Sequence, residues 1–426
     1  MRTKTSIYVN QFVLCCTLLA VSLGSGCGGS DAHPVFDTVS AAKLQASLDS
    51  SVIDLEIPGA VLAVRSPNGA VWIGTSGYGQ IGAAVSANDA QYSTDVAMSS
   101  EMHFHIGSIT KTFTATIILQ LIDEGKISLD DTIDQVIQKW LPNYFDFTIP
   151  YRDMITIRNL LEMRSGMGNY TSDSKYSRDI NINPLAKLDP KTLIRYGVES
   201  EDTPAYPPGT RSEYNNGNYI LLGIFIEKIT GNTYNDEVSE RIIKPLNMKN
   251  TSVPSDPSMP DPYAHGYKYS NTDNELVDLS TATDPSWGWA AGSIISTVSD
   301  LLTWAEALVE GTLISSTMQQ ERMMMFEIDI DDFSGISYGL GIYSDNGAIG
   351  HGGDYSGFYT GYVVRYKNYD FAVLLNGKLQ QTRAEVRVPA RNVFWNAAQA
   401  IGLDGFINAS INCCSRNGGM GSGLGN

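Results

Sequence analysis

Hydrophobic positions change period four times along this chain, and the changes divide it. "SAAKLQASLDSSVI", from Ser40, spaces its apolar residues as an amphipathic helix does, with Ser40 placed to cap it. "AVLAVRSPNGAVWIGTSG" follows as two apolar runs around Pro-Asn-Gly, the pattern of a β-hairpin. From Ser108 to Gly125 the period returns to helical, with Ile109, Phe113, Ile117, Leu121 and Ile122 on one spacing and Gly125 as the stop. Residues 129–275 read as mainly helical and loop-rich; "ITIRNLLEMRSG" and "NYILLGIFIEKITG" are clear helices, each ending on a glycine suited to a left-handed cap. "STVSDLLTWAEALVEG" opens with a capping box from Thr297 to Asp300. Strands then return as "SYGLGIYS", an Asp-Asn-Gly turn, "AIGH", "GYVVRY", a polar turn and "FAVLLNG", before a helix near "RNVFWNAAQAI". Strands at both ends with helices between predict an α/β (α+β) fold. A discontinuous α/β domain, 38–128 with 276–402, is interrupted by a helical domain, 129–275.

The two ends of the chain read differently from its middle. "MRTK" followed by "FVLCCTLLAVSLG" has the charge and length of a secretory signal over residues 1–26. "LGSGCGGSD" then sets small residues before Cys27, the pattern of a lipoprotein box in which Cys27 is lipidated, and residues 27–37 read as a flexible linker. The expectation is an extracytoplasmic, membrane-anchored lipoprotein that touches the membrane only through this N-terminal lipid. The tail 403–426, with "SRNGGMGSGLGN", reads as disordered. A formal charge of −17 removes nucleic acid as a partner, since no basic footprint for phosphates exists. Of five cysteines, Cys15 and Cys16 lie in the signal and only Cys413 and Cys414 remain beyond Cys27, so a thiol nucleophile is not expected.

"HIGSITKTF" places Ser108 and Lys111 at i and i+3, on one face at the start of a helix. A serine hydroxyl needs a base to become a nucleophile, and a lysine one turn on supplies it if burial lowers its pKa. The helix N-terminus adds N–H groups where an oxyanion would develop. The S-x-x-K spacing alone is weak evidence, because Ser40…Lys43 and Ser172…Lys175 repeat it. Only Ser108 follows a turn glycine and leads into an apolar helix. A partner for the serine is sought on a constrained loop. "PPGTRSEYNNGNYILLG" offers Tyr214 and Asn216 behind Pro207-Pro208-Gly209, whereas Tyr269 in "KYSN" lies in a polar hairpin end.

"GSITK", "PPGTRSEYNNGNY" and "GHGGDYSGF", in that order, resemble the serine β-lactamase superfamily, in its branch of class C β-lactamases, serine D-Ala-D-Ala carboxypeptidases and related esterases. The likeness runs over residues 38–400, with "ITIRNLLEMRSGM" and "AAGSIISTVSDLLTW" in support. It implies an antiparallel sheet flanked by helices with an inserted all-helical domain, and no cofactor or metal. It further implies that Ser108 is acylated, that Lys111 takes or relays its proton, and that Tyr214 protonates the leaving group. Asn216 would bond substrate or Lys111, and His351 would stand where the family has a strand lysine. The oxyanion would sit on the N–H groups of Ser108 and Asp354, beside Gly352 and Gly353. Lys111 and Tyr214 both remain candidates for the main base. His351 is expected to polarise Tyr214 and to bring a histidine titration into the activity profile. Asp354 is expected to disfavour substrates with a carboxylate.

Rival readings are weaker. His103 and His105 alternate on a strand but no third ligand is spaced to complete a zinc site. "GYGQIG" at Gly77 to Gly82 spells G-x-G-x-x-G yet leads into coil, so it reads as a turn. No G-x-S-x-G elbow occurs. The expected function is a serine hydrolase forming an acyl-enzyme on a small-molecule or peptidoglycan-peptide substrate. The alternatives are a carboxylesterase of the same fold and a non-catalytic envelope binding protein.

Overall fold

The computed structural model describes residues 34–403 apart from 83, 87–93, 271–274, 329–334 and 378–388. The signal, Cys27, the vicinal cysteines and nearly all of the tail therefore lie outside the described residues. Apolar runs near both ends of that span build one antiparallel sheet. Its strands are β1 (Gly59–Arg65), β2 (Val71–Gln80), β3 (Val96–Ala97), β4 (Phe326–Glu327), β5 (Ile336–Tyr338), β6 (Tyr343–Asp345), β7 (Ala348–Tyr355), β8 (Tyr359–Tyr366) and β9 (Tyr369–Leu375). The order is β3-β2-β1-β9-β8-β7-β6-β5-β4, so the first hairpin pairs with the last strand, Ala63 opposite Ala372. The Pro-Asn-Gly turn closes that hairpin with Gly69 at φ 84° and an Asn68 side chain that accepts from the Ala70 N–H.

The central strands are buried along almost their whole length. Runs of Val, Ile, Leu and Ala without polar alternation demand cover on both faces. Among the described residues five helices of twelve residues or more dominate: α1 (Thr38–Asp54), α2 (Thr110–Asp123), α3 (Asn216–Thr230), α4 (Val298–Glu310) and α5 (Pro389–Ala400). On one face Tyr362 of β8 stacks on Phe394 of α5 at 5.3 Å between ring centres. Its neighbour Gly361 faces the other way, toward Ile109 in the turn that carries Ser108. Strand alternation thus defines a nucleophile face and an α5 face.

Helix α2 is buried nearly all round, so its polar residues must find partners inside. Thr112 accepts from the Trp304 indole at 2.7 Å, Thr114 meets the Tyr234 hydroxyl at 2.7 Å, and Thr116 accepts from Arg322 at 2.7 Å. Three such hooks fix the rotation of α2 and with it the face that presents Ser108 and Lys111.

Several sequence expectations shift. The first helix is capped by Asp37, which accepts from the Ser40 N–H at 2.8 Å, rather than by Ser40. "GYGQIG" runs mostly as the end of β2, with a register shift between Tyr78 and Gln80, rather than as a turn. The helix in "ITIRNLLEMRSG" stops at Leu161, before its glycine. Its last carbonyls are taken by α3: Asn218 donates to Leu160 O and the Tyr219 hydroxyl to Leu161 O. "SYGLGIYS" breaks into β5 and β6, because Leu340 N–H turns aside to the Arg322 carbonyl. Gly231 stands as expected, and Thr297 caps its helix by accepting from the Asp300 N–H, but the box is not closed, because the Asp300 carboxylate accepts from Asn250 N–H and Thr251 Oγ1 instead.

The turn before Ser108 and the strand beside it touch backbone to backbone. Gly107 has φ 54°, and a Cβ there would lie 2.5 Å from Asp354 O and 2.7 Å from Asp354 N. A Cβ on Gly353 would collide with the Ile106 carbonyl oxygen. These two glycines let the nucleophile turn rest on β7. Gly353→Ala should therefore lower the unfolding free energy in urea by about 1–3 kcal/mol through overpacking, and lower activity with it. An unchanged urea midpoint would show that the contact is slack.

Candidate active site

Ser108 lies in a single 3-10 turn, Gly107–Ile109, which feeds directly into α2. It is half-buried, while Lys111, one turn on, is fully buried. The Lys111 Nζ stands 2.9 Å from Ser108 Oγ, 2.7 Å from Asn216 Oδ1 and 2.7 Å from the Ala291 carbonyl. No carboxylate pairs with it among the described residues; the acceptors are two carbonyl oxygens and a hydroxyl. Burial alone pushes its pKa well below the usual lysine range. A neutral Nζ has two N–H bonds and one lone pair. The two amide oxygens can only accept, so they take the N–H groups and leave the lone pair facing the Ser108 hydroxyl. That is the geometry of a general base.

Asn216 reaches Lys111 because it is the first residue of α3, set by Asn215, whose side chain caps Gly217 N–H at 2.8 Å and donates to Met167 O at 2.6 Å. The Asn216 amide donates in turn to Thr171 Oγ1 at 3.0 Å, which fixes which end of the amide faces Lys111. Tyr214 lays its ring 4.9 Å from Lys111 Nζ. Its hydroxyl is buried, with the Ser108 hydroxyl as its neighbour. Burial holds the phenol protonated by raising its pKa, against the smaller opposing effect of the Ser108 hydroxyl beside it. Tyr214 is thus positioned as a proton donor near Ser108 rather than as a phenolate.

His351 is on β7, with Gly353 and Tyr355, on the nucleophile face, since their partners Val363 and Gly361 share it. Its ring is buried, with its centre 6.4 Å from that of Tyr214. Nδ1 lies 2.5 Å from the Gly352 carbonyl and Nε2 3.0 Å from the Tyr338 hydroxyl. Burial, opposed by the Gly352 carbonyl, pulls its pKa down to about 3. The expected histidine titration between pH 5 and 8 is therefore replaced by a ring that stays neutral there, and its bonds go to Gly352 and Tyr338 instead of Tyr214.

Gly352 and Asp354 alternate onto the α5 face. The Asp354 carboxylate is exposed and accepts from Gly357 N–H at 2.8 Å, closing the turn after β7. It lies on the face opposite Ser108, so the expected repulsion of substrate carboxylates loses its geometric basis. The Asp354 backbone is what meets the Ser108 turn.

The structure thus gathers Ser108, Lys111, Asn216, Tyr214, His351 and the Gly352–Asp354 strand at one place. It leaves Ser40…Lys43 on an outer helix and Ser172…Lys175 across a 3-10 turn and the next helix, with neither serine bonded to its lysine. Sequence reasoning missed the Ala291 carbonyl, Thr171 and Tyr338. Thr171 and Tyr338 carried no motif, and Ala291 contributes backbone that no residue type announces. His103 bonds the Pro262 carbonyl and His265 bonds Asp278, each a structural role. Among the described residues no three His, Cys, Asp or Glu side chains cluster to hold a metal.

Residues 42–392 match the family model described as Beta-lactamase. The chain belongs to the beta-lactamase family. It is 27% identical to penicillin-binding protein 4* of Bacillus subtilis over 297 residues, 66% of this chain and 62% of that protein. It is 25% identical to protein flp of Staphylococcus aureus over 323 residues, 75% of this chain and 60% of that protein. The chain thus spans about three-fifths of the length of these relatives. Among solved structures it resembles a D-stereospecific amidohydrolase from Streptomyces sp., at 31% identity and TM-score 0.67, over 80% of this chain and 95% of that one. D-amino acid amidase from Ochrobactrum anthropi SV3 shares the fold, at 22% identity and TM-score 0.70, over 85% and 99%. Family model and solved structures together give this chain the β-lactamase and penicillin-binding fold.

A lysine with a depressed native pKa binds fewer protons folded than unfolded, over the interval between that value and its ordinary one near 10.5. Its contribution to stability therefore rises with pH there and falls on acidification. Urea unfolding of Lys111→Met at pH 7 and pH 9 should show the difference, wild type minus variant, growing with pH. Equal differences at both values would place the proton on Lys111 in the native state. The same variant should lose at least about 10²–10⁴ in kcat/KM, the usual worth of a general base.

Proposed function

We propose that this chain hydrolyses amide bonds on the carbonyl side of D-configured residues, as in D-amino acid amides and the D-Ala-D-Ala ends of peptidoglycan stem peptides, through an acyl-enzyme on Ser108. The observation that carries the reading is the buried Lys111 Nζ, 2.9 Å from Ser108 Oγ and held by two carbonyl oxygens. Support for the D-configuration comes from the D-stereospecific amidohydrolase that is 31% identical over 80% of the chain.

Ser108 Oγ forms its bond to the substrate carbonyl carbon as its proton passes to Lys111. The carbonyl oxygen, now an oxyanion, accepts from the N–H groups of Ser108 and Asp354, which the Gly107 contact holds together. Collapse breaks the bond to the leaving amine, which takes a proton from the Tyr214 hydroxyl, and the proton on Lys111 restores Tyr214. Water then attacks the ester, and the same groups return Ser108 to its hydroxyl form. The reading of residues 1–26 as a secretory signal and of Cys27 as a lipidation site supports an activity outside the cytoplasm, where such peptides occur.

A hydrolysis panel of D-alanine amide, L-alanine amide, a D-Ala-D-Ala peptide, nitrocefin and a short-chain p-nitrophenyl ester tests the reading. The D-amide or D-Ala-D-Ala peptide should exceed the L-amide by at least about tenfold in kcat/KM, and Ser108→Ala should abolish turnover of both. Faster ester than D-amide hydrolysis would make it an esterase. No turnover and no fluorophosphonate adduct on Ser108 would leave an envelope binding protein.

A further inference from the structure

His351 sits where proton chemistry is expected, yet both of its ring nitrogens are engaged. The Gly352 carbonyl, 2.5 Å from Nδ1, has no proton to give, so Nδ1 carries the hydrogen. In the neutral ring Nε2 is then an acceptor, and the group 3.0 Å from it is the Tyr338 hydroxyl, which donates. Tyr338 has one alternative acceptor, the neighbouring Tyr219 hydroxyl, which itself donates to Leu161 O at 3.0 Å. Turning to Tyr219 would leave Nε2 a buried acceptor with no donor, or else load it with a second hydrogen and so form an imidazolium in a ring 2% exposed. That arrangement is the costlier one.

We propose that Tyr338 and the Gly352 carbonyl lock His351 as the neutral Nδ1–H imidazole, which makes Tyr338 a positioning residue of the active site and withdraws His351 from proton transfer. Tyr338 is itself buried on β5, two strands from β7, and the bond to His351 bridges the strand between them. The locked ring fills the space between Tyr343, 4.8 Å away, and Tyr214, 6.4 Å away, both between ring centres. It holds β7 where Gly353 meets the Ser108 turn and supports the Tyr214 ring from behind. The groups facing it are Lys111 from α2, Tyr214 from the loop before α3, Tyr338 from β5 and Tyr343 from β6; none is a carboxylate that would favour a charged imidazole. Proton traffic is left to Ser108, Lys111 and Tyr214.

The assignment rests on the proposed function only for its kinetic arm. Long-range ¹H–¹⁵N spectra of the histidine rings, with His351 identified by its loss in His351→Asn, read the tautomer directly in the full wild-type chain. The expected result is a hydrogen on Nδ1, none on Nε2, and no titration between pH 5 and 8. A hydrogen on Nε2, or titration in that interval, overturns the proposal whether or not any variant folds. Tyr338→Phe should shift the Nε2 resonance and lower kcat roughly tenfold with KM little changed, since small displacements near reacting atoms act on rate; an unchanged His351 spectrum in this variant would remove Tyr338 from the account. A chain that hydrolyses none of the panel would defeat the proposed activity and leave the spectroscopic result standing.

Discussion

The constraint on which the site depends is an amine sealed from water with no carboxylate among the described residues to pair it. Lys111 is fully buried, and an ammonium there would forfeit its hydration for three neutral acceptors. The surroundings favour the neutral form, and the neutral form has a lone pair to direct. Where that lone pair points is decided by its neighbours: two carbonyl oxygens that can only accept leave Ser108 as the remaining direction. Burial thus performs two functions at once, lowering proton affinity and orienting the base.

Much of the fold exists to hold that arrangement. The threonines of α2 are hooked by Trp304, Tyr234 and Arg322, which sets the helix rotation. The Asn215 cap starts α3 so that Asn216 arrives beside Nζ, with its amide direction fixed by Thr171. Gly107 and Gly353 allow the nucleophile turn to lie against β7. Tyr338 and His351 brace the same strand from its other side. Each contact is ordinary; together they leave Ser108 little freedom relative to its base, which is what makes positioning effective in catalysis.

The sequence made some of this visible and hid the rest for physical reasons. Period and turn chemistry exposed the β1–β2 hairpin, α2 and the β7–β9 meander, because each hides or exposes its faces through side chains. Ser108, Lys111, Tyr214 and Asn216 were legible as motifs on turns leading into helices. Local rules failed where tertiary partners intervened: the helix at Ile157–Leu161 ends early because Asn218 and Tyr219 bond its carbonyls. The facing of Asp354 could not be read until pairing with Thr360 placed it opposite the nucleophile face. His351 was recognisable by position but not by state, since its tautomer depends on a carbonyl one residue away and a tyrosine thirteen residues back. The Ala291 carbonyl is the extreme case: backbone chemistry belongs to every residue and marks none.

The central claim, that burial makes Lys111 a neutral base for Ser108, is tested most directly by the pH dependence of fluorophosphonate labelling at Ser108, followed by intact mass. The account predicts a single ionisation well below 10.5, the ordinary lysine value, with no histidine inflection between pH 5 and 8, and loss of fast labelling in Lys111→Met. A rate that climbs only as pH approaches 10.5, or that survives in Lys111→Met, would contradict it.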